Sequence, residues 1–153
     1  MARARKSNDK QQTVYKELLS QLELGYYSGH IRLDSVEFHC PDIIDYPADP
    51  LEKVQISWQY SYEKTEHGFD ANVIIRNTIK GDLNEYDQID LEIGYNLHYG
   101  SKMTLPKTLY RKFAYDKVLP QVWPYFRDHA LELYFRAGLR WVILPFEPET
   151  VIE

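Results

Sequence analysis

One cysteine in 153 residues, Cys40, removes two options at once. No internal disulfide can staple the chain, and no cysteine cluster can hold zinc. A lone thiol suits a reducing compartment. Long apolar runs are missing too, and none approaches the ~20 residues that cross a bilayer. The basic N-terminus is not followed by an apolar stretch, so no secretory signal is expected. Histidine is sparse and scattered: His30, His39, His67, His98 and His129 form no H-x-H, H-x-x-x-H or H-E-x-x-H pair, and no metal site is expected. There is no G-x-S-x-G, no Walker-type loop and no G-x-G-x-x-G. No catalytic residue and no cofactor are therefore expected. Net charge is −5. Arg3, Arg5, Lys6 and Lys10 against Asp9 give the first ten residues +3, which leaves −8 on the remainder. An acidic body argues against nucleic-acid binding. The expectation is a soluble, cytoplasmic protein without membrane insertion.

A chain of this length fills one domain with its own core. Tyrosine is the outlier, with 13 residues beside 6 Phe and 3 Trp. Tyr and Trp pair rigid apolar area with a polar tip, which suits surface that is wet at one time and covered at another. A Tyr-rich sheet core would give the same count.

The pattern along the chain divides it in three. Residues 1–10 read as a disordered basic arm. Residues 11–25 read as an amphipathic helix, with Val14, Leu18, Leu19 and Leu22 on one stripe, Tyr15 beside them and Gly25 as the stop. Residues 26–153 form the single folded domain. From Ile31 to Cys40 the chain is strand-like with a change of phase, because Ile31 and Leu33 point one way and Val36 and Phe38 are out of step with them. A bulge near Asp34 and Ser35 reconciles the two. Pro41, Pro47 and Pro50 then mark a long connection.

Three stretches alternate clearly. Val54, Ile56, Trp58, Tyr60 and Tyr62 share one face. Phe69, Ala71, Val73, Ile75 and Ile79 share the next, and Ile89, Leu91, Ile93, Tyr95, Leu97 and Tyr99 the third. Period two over this length means half-buried antiparallel strands. His67-Gly68 and Gly81 to Glu85 supply the turns. After Gly100 the period becomes helical. One helix is expected over Lys107 to Val118, with Leu109, Tyr110, Phe113 and Val118 inward. Pro120 then breaks it, and a second helix opens with Pro124 in its first turn. That helix carries Phe126, Ala130, Leu133 and Ala137 on one stripe and stops at Gly138. Its apolar girth, widened by Leu131, Tyr134 and Phe135, needs two contact partners. An apolar strand-like tail ends at Leu144-Pro145. Asp90 and Glu92 share a strand face and could form a carboxylate pair, though a solvated outer face is the plainer reading.

The stretch Val118 to Phe146 is similar to the C-terminal half of the SecB family of export chaperones. The match rests on the Trp123-Pro124-Tyr125-Phe126-Arg127 box opening the helix and the apolar segment around Pro145. Phe38 and Pro41 resemble the exit of that family's first strand, 41–53 its crossover and Ile89 to Tyr99 its fourth strand. The resemblance implies an α+β fold in which a four-stranded antiparallel sheet is followed by a long broken helix pair packed on one face. It implies a homotetramer built as a dimer of dimers, with Leu91, Ile93, Phe126, Ala130 and Leu133 at the interface. It also implies an ATP-independent holdase that grips unfolded polypeptide in apolar grooves near Ile56, Trp58, Tyr60, Tyr95, Leu97 and Tyr99.

The departures point to a particular client. Export-type proteins carry acidic residues that contact the motor SecA. Ser35 and His39 stand at those positions here, and Glu92 alone is retained as a partner contact. A polar motor-binding tail is expected to be lacking, and the helix over 11–25 is added. These traits resemble the SecB-like chaperones of toxin–antitoxin–chaperone systems, so the expected client is an antitoxin, with SecA binding weak. Two alternatives stay open: a general export chaperone serving SecA, and a small-ligand or enzymatic α+β domain without a recognisable motif.

Overall fold

The computed structural model describes residues 2–22, 31–41, 54–80, 88–139 and 142–148. The element order is α1 (Ala2–Gln21), β1 (Ile31–His39), β2 (Val54–Thr65), β3 (Gly68–Lys80), β4 (Gln88–Gly100), then a helical run. That run passes from a 3₁₀ turn (Lys107–Leu109) into α2 (Tyr110–Phe113), a π-turn (Ala114–Val118) and α3 (Leu119–Arg136).

All four strands are antiparallel, in the order β1-β4-β3-β2. Alternation decides the layers. Phe69, Ala71, Val73 and Ile75 of β3 and Leu91, Ile93, Tyr95 and Leu97 of β4 are all buried on one face, under the helices. The intervening residues form a polar outer face. Chain phase in β1 changes where it was expected to. Leu33 pairs with Tyr95 and Ser35 with Gly94, so Asp34 is the extra residue of a bulge. The bulge returns Val36 and Phe38 to the helix side, opposite Ile93 and Leu91. The β2–β3 turn is Glu66-His67, one residue earlier than expected, because Thr65 pairs with Gly68. Gly68 is irreplaceable there for a different reason: a Cβ on it would overlap the carbonyl oxygen of Tyr99 on β4.

Pro120 does not break the helix. The N–H of Leu119 reaches back five residues to the carbonyl of Ala114, so the ladder is already changing step when the proline arrives. The missing N–H of Pro120 then falls at the start of α3, where it costs little. Pro124, expected in a first turn, lies inside α3. From Val118 the buried residues Val122, Phe126, Ala130 and Tyr134 follow at every fourth position. That row is inclined to the helix axis, so α3 crosses the sheet obliquely. Gly138 ends the helix as expected, at φ +82°. The Leu139 N–H donates to the Tyr134 carbonyl (2.8 Å) and the Gly138 N–H to that of Phe135 (3.1 Å), a Schellman closure.

The N-terminus differs from expectation. The ten residues read as a disordered arm are helical, and α1 starts at Ala2. Ala, Arg, Lys and Gln dominate them and no Gly or Pro interrupts, so local propensity carries the helix past its packed half. Tyr15, Leu18 and Leu22 are buried as the stripe required. The stop at Gly25, the crossover 42–53 and the turn 81–85 lie outside the described residues.

Candidate functional site

Burial runs out along β2. Ile56 and Trp58 are covered, whereas Tyr60 and Tyr62 of the same face are only half-buried at the sheet margin. Rings from the helical run meet them there. Trp58 lies 5.2 Å edge-on from Tyr115 and 5.1 Å from Tyr60, and Tyr62 lies 4.6 Å from Tyr110. Behind them Phe69, Tyr99 and Phe113 interlock at 5.0–5.4 Å. The Tyr62 hydroxyl donates to the Tyr110 carbonyl at 2.8 Å, and burial raises its pKa well above the usual phenol value. Tyr115 remains 37% exposed, with the Arg111 guanidinium 5.7 Å over its ring. The result is an aromatic ridge, covered at its back and open at its rim.

Most of the expected client residues lie behind that rim. Ile56, Trp58, Tyr95, Leu97 and Tyr99 are at most 6% exposed and belong to the core, and Tyr60 alone reaches the rim. Period two fixes which face a strand residue occupies, but not how much of that face the helices cover. The expected interface residues are corrected likewise. Leu91, Ile93, Phe126 and Ala130 are fully buried where α3 meets the sheet of the same chain, and only Leu133 remains partly open.

A second apolar surface lies at the opposite margin. Because α3 crosses obliquely, it leaves β1 half-covered, with Leu33 45% and Val36 44% exposed. These two, with Leu133, His129 and the stems of Glu132 and Arg136, line a shallow hollow of about 170 Å³. Beneath it, the Tyr95 hydroxyl and His129 Nδ1 are 2.7 Å apart.

The outer face is a lattice of paired polar groups. Arg76 donates to Glu92 through Nε (2.9 Å) and also through its terminal nitrogen. Thr78 and Gln88 donate to Asp90, His98 Nδ1 lies 2.6 Å from Asp70, and Asn96 donates to Asn72. Asp90 and Glu92 are therefore engaged by neighbours as a solvated outer face would be. Ser35 and His39 are exposed on the neighbouring β1. Among the described residues no three His, Cys, Asp or Glu side chains converge on a common point.

The Trp123–Arg127 box has a role that its sequence did not disclose. The Trp123 indole N–H donates to the Pro145 carbonyl (3.1 Å), Arg127 Nε to that of Leu144 (3.5 Å), and the Arg127 guanidinium lies 4.2 Å over Phe146. The two side chains are one helical turn apart, and together they hold the tail against α3. Spacing i, i+4 was the available signal. The tail, expected to be strand-like, joins no strand; Val142 and Leu144 are buried while Ile143 and Phe146 are exposed. The added helix is tied down similarly. The Tyr15 hydroxyl donates to Asp116 (2.8 Å), Lys112 sits 4.9 Å over the Tyr15 ring, and the Lys102 N–H donates to Gln21 (3.2 Å). No helix among the described residues is long and apolar enough to cross a membrane.

No protein-family model matches the sequence, and no curated protein matches it. The fold does have a counterpart among solved structures. The chain is similar to a SecB-like chaperone of Mycobacterium tuberculosis in complex with a ChAD peptide from the HigA1 antitoxin. The TM-score is 0.57 at 14% identity, covering 77% of this chain and 88% of that one. The architecture, a four-stranded antiparallel sheet with a long C-terminal helix on one face, is thus SecB-like.

Proposed function

We propose that this chain is an ATP-independent holdase that binds unfolded or aggregation-prone polypeptide and needs no cofactor. The observation that carries the reading is the aromatic ridge left open at the β2 margin of a SecB-like fold. Each apolar Å² removed from water on that rim contributes about 25 cal/mol before ordering costs. Affinity then accumulates from many weak contacts, with no chemical step.

The client is an antitoxin of a toxin–antitoxin–chaperone system. Support comes from the antitoxin peptide bound by the similar chaperone and from Ser35 and His39 at positions where export-type proteins carry acids. Glu92 adds to it, because a carboxylate engaged by Arg76 is a weak attractor for a second cation, so SecA binds weakly. The chain works in the cytoplasm as a homotetramer, a dimer of dimers. Its apolar contact between copies is built on Leu33, Val36 and Leu133, the half-covered patch at the β1 margin.

The test is suppression of aggregation when a denatured client is diluted into buffer, with ATP and chelator each making no difference. Replacing Tyr60 and Tyr115 together by Ser should weaken suppression while leaving the fold intact, since both rings are partly solvated already. Trp58→Ser should instead unfold the chain. A pull-down that returns many preproteins with SecA, and no antitoxin, restores the general export role.

A further inference from the structure

We propose that the free edge of β2 docks the client's main chain: an extended, uncharged segment adds to the sheet as a fifth strand, with apolar side chains at alternate positions against Tyr60 and Tyr115. The inference rests on the holdase reading and names the conformation and chemistry of what is held.

The two edges of the sheet are built differently. β1 carries Arg32, Asp34 and Glu37, and the bulge at Asp34 interrupts its register. Charge and bulge are the devices by which natural sheets blunt an edge against further strands. β2 has neither over 54–62. Those residues read Val-Gln-Ile-Ser-Trp-Gln-Tyr-Ser-Tyr, with no charge, no proline and no glycine. All 12 residue pairs with β3 keep one register. The strand's charges begin only at Glu63. In the strand order β2 is outermost, with β3 on one side. One row of its N–H and C=O groups therefore has no strand partner among the described residues, and such a row is a template for another strand.

The side chains fit the same occupant. An added strand would lie ~4.8 Å beyond β2, with same-face residues ~6.8 Å apart. Every second side chain would then meet the Trp58–Tyr60–Tyr62 row, under the exposed rim of Tyr115. A charged side chain in that row would be desolvated against rings with no countercharge on 54–62. The segment selected is thus uncharged over about nine residues and apolar at every second one. That is also the signature of segments that aggregate through strand pairing, so the edge recognises the feature that makes a client need holding.

The test uses a synthetic peptide of alternating Val/Phe and Ser/Thr, as long as β2 and capped by lysines, labelled for anisotropy and titrated with the full chain. In an added strand, alternate N–H groups face the sheet. N-methylation of three peptide nitrogens of one parity should weaken binding by about tenfold or more, because each removes a main-chain hydrogen bond. N-methylation of the other parity should change it by less than about threefold, because those N–H groups face solvent. Equal effects of the two parities overturn strand addition. So does failure to bind the parent peptide by a chain that still suppresses client aggregation. In both cases the holdase reading stands, and it fails separately if aggregation suppression is absent.

Discussion

Tyr134→Phe removes one oxygen atom and keeps the ring, yet it should destabilise the chain by about 1–3 kcal/mol. Asn77 of β3 is fully buried, at 0% exposure, beneath α3. Its amide oxygen accepts a hydrogen bond from the Tyr134 hydroxyl, and its amide nitrogen donates to the Gln55 carbonyl of β2 at 3.1 Å. The network joins α3, β3 and the edge strand through a single side chain. Without the hydroxyl, the amide oxygen stays buried with no donor among the described residues, and the cost is its desolvation. No cavity term is added, since the hydroxyl is small and the ring remains. Asn77→Leu with Tyr134→Phe replaces both partners by apolar groups and should cost less than the sum of the single changes, with a coupling of about 1–2 kcal/mol. Urea unfolding at one fixed protomer concentration measures this, the midpoint falling while the slope is unchanged. Thermal midpoints should drop by about 2–4 °C per kcal/mol in a chain of this size. A Tyr134→Phe midpoint indistinguishable from the parent, or strict additivity of the double variant, would refute the claim that the amide is desolvated and dependent on Tyr134.

Gly68→Ala should be far more damaging than Gly138→Ala, because the first drives a Cβ into the β4 backbone. The second meets nothing within 4 Å and costs only its positive φ, about 1–2 kcal/mol; urea midpoints rank them. Trp123→Phe and Arg127→Met should each speed proteolytic cutting within 142–146 while helical circular dichroism is preserved, since the first removes a hydrogen bond and the second both of Arg127's ties to the tail. Stability should fall as pH rises above about 10. Burial holds the phenols of Tyr15, Tyr62, Tyr95 and Tyr134 above their usual pKa, so the unfolded chain loses those protons first and is favoured by about 1.4 kcal/mol per pH unit for each. A denaturation midpoint flat between pH 9 and 11 would contradict this.

Strand faces were legible because alternation is a property of the chain itself. Trp58 and Tyr60 were correctly put on one side of β2, and the phase change between Leu33 and Val36 located the bulge. What lay beyond the pattern was coverage. Tyr95 and Tyr60 look alike in sequence, and only the oblique path of α3 and the position of each strand in the sheet bury the one and leave the other at a rim. The helix boundaries misled for a related reason. Pro120 is a breaker in an α-helix, but the preceding step is not α, and no linear rule announces a π-turn. The clamp of Trp123 and Arg127 on the tail depends on a return of the chain after Gly138, which no local window contains.

That π-turn has a further consequence. It gives the helical run one residue more than a regular helix of the same rise would hold. Removing any one residue from Ala114–Val118 would relax the turn to α geometry and rotate everything after it by about 100°. Val122, Phe126, Ala130 and Tyr134 would leave the sheet together, and Tyr125 and Phe135 would swing through the space they vacated. Between Ala114 and Val118, a change of one residue in length is therefore a change of face for the 18 residues of α3, and an insertion or deletion there is a graver event than almost any substitution.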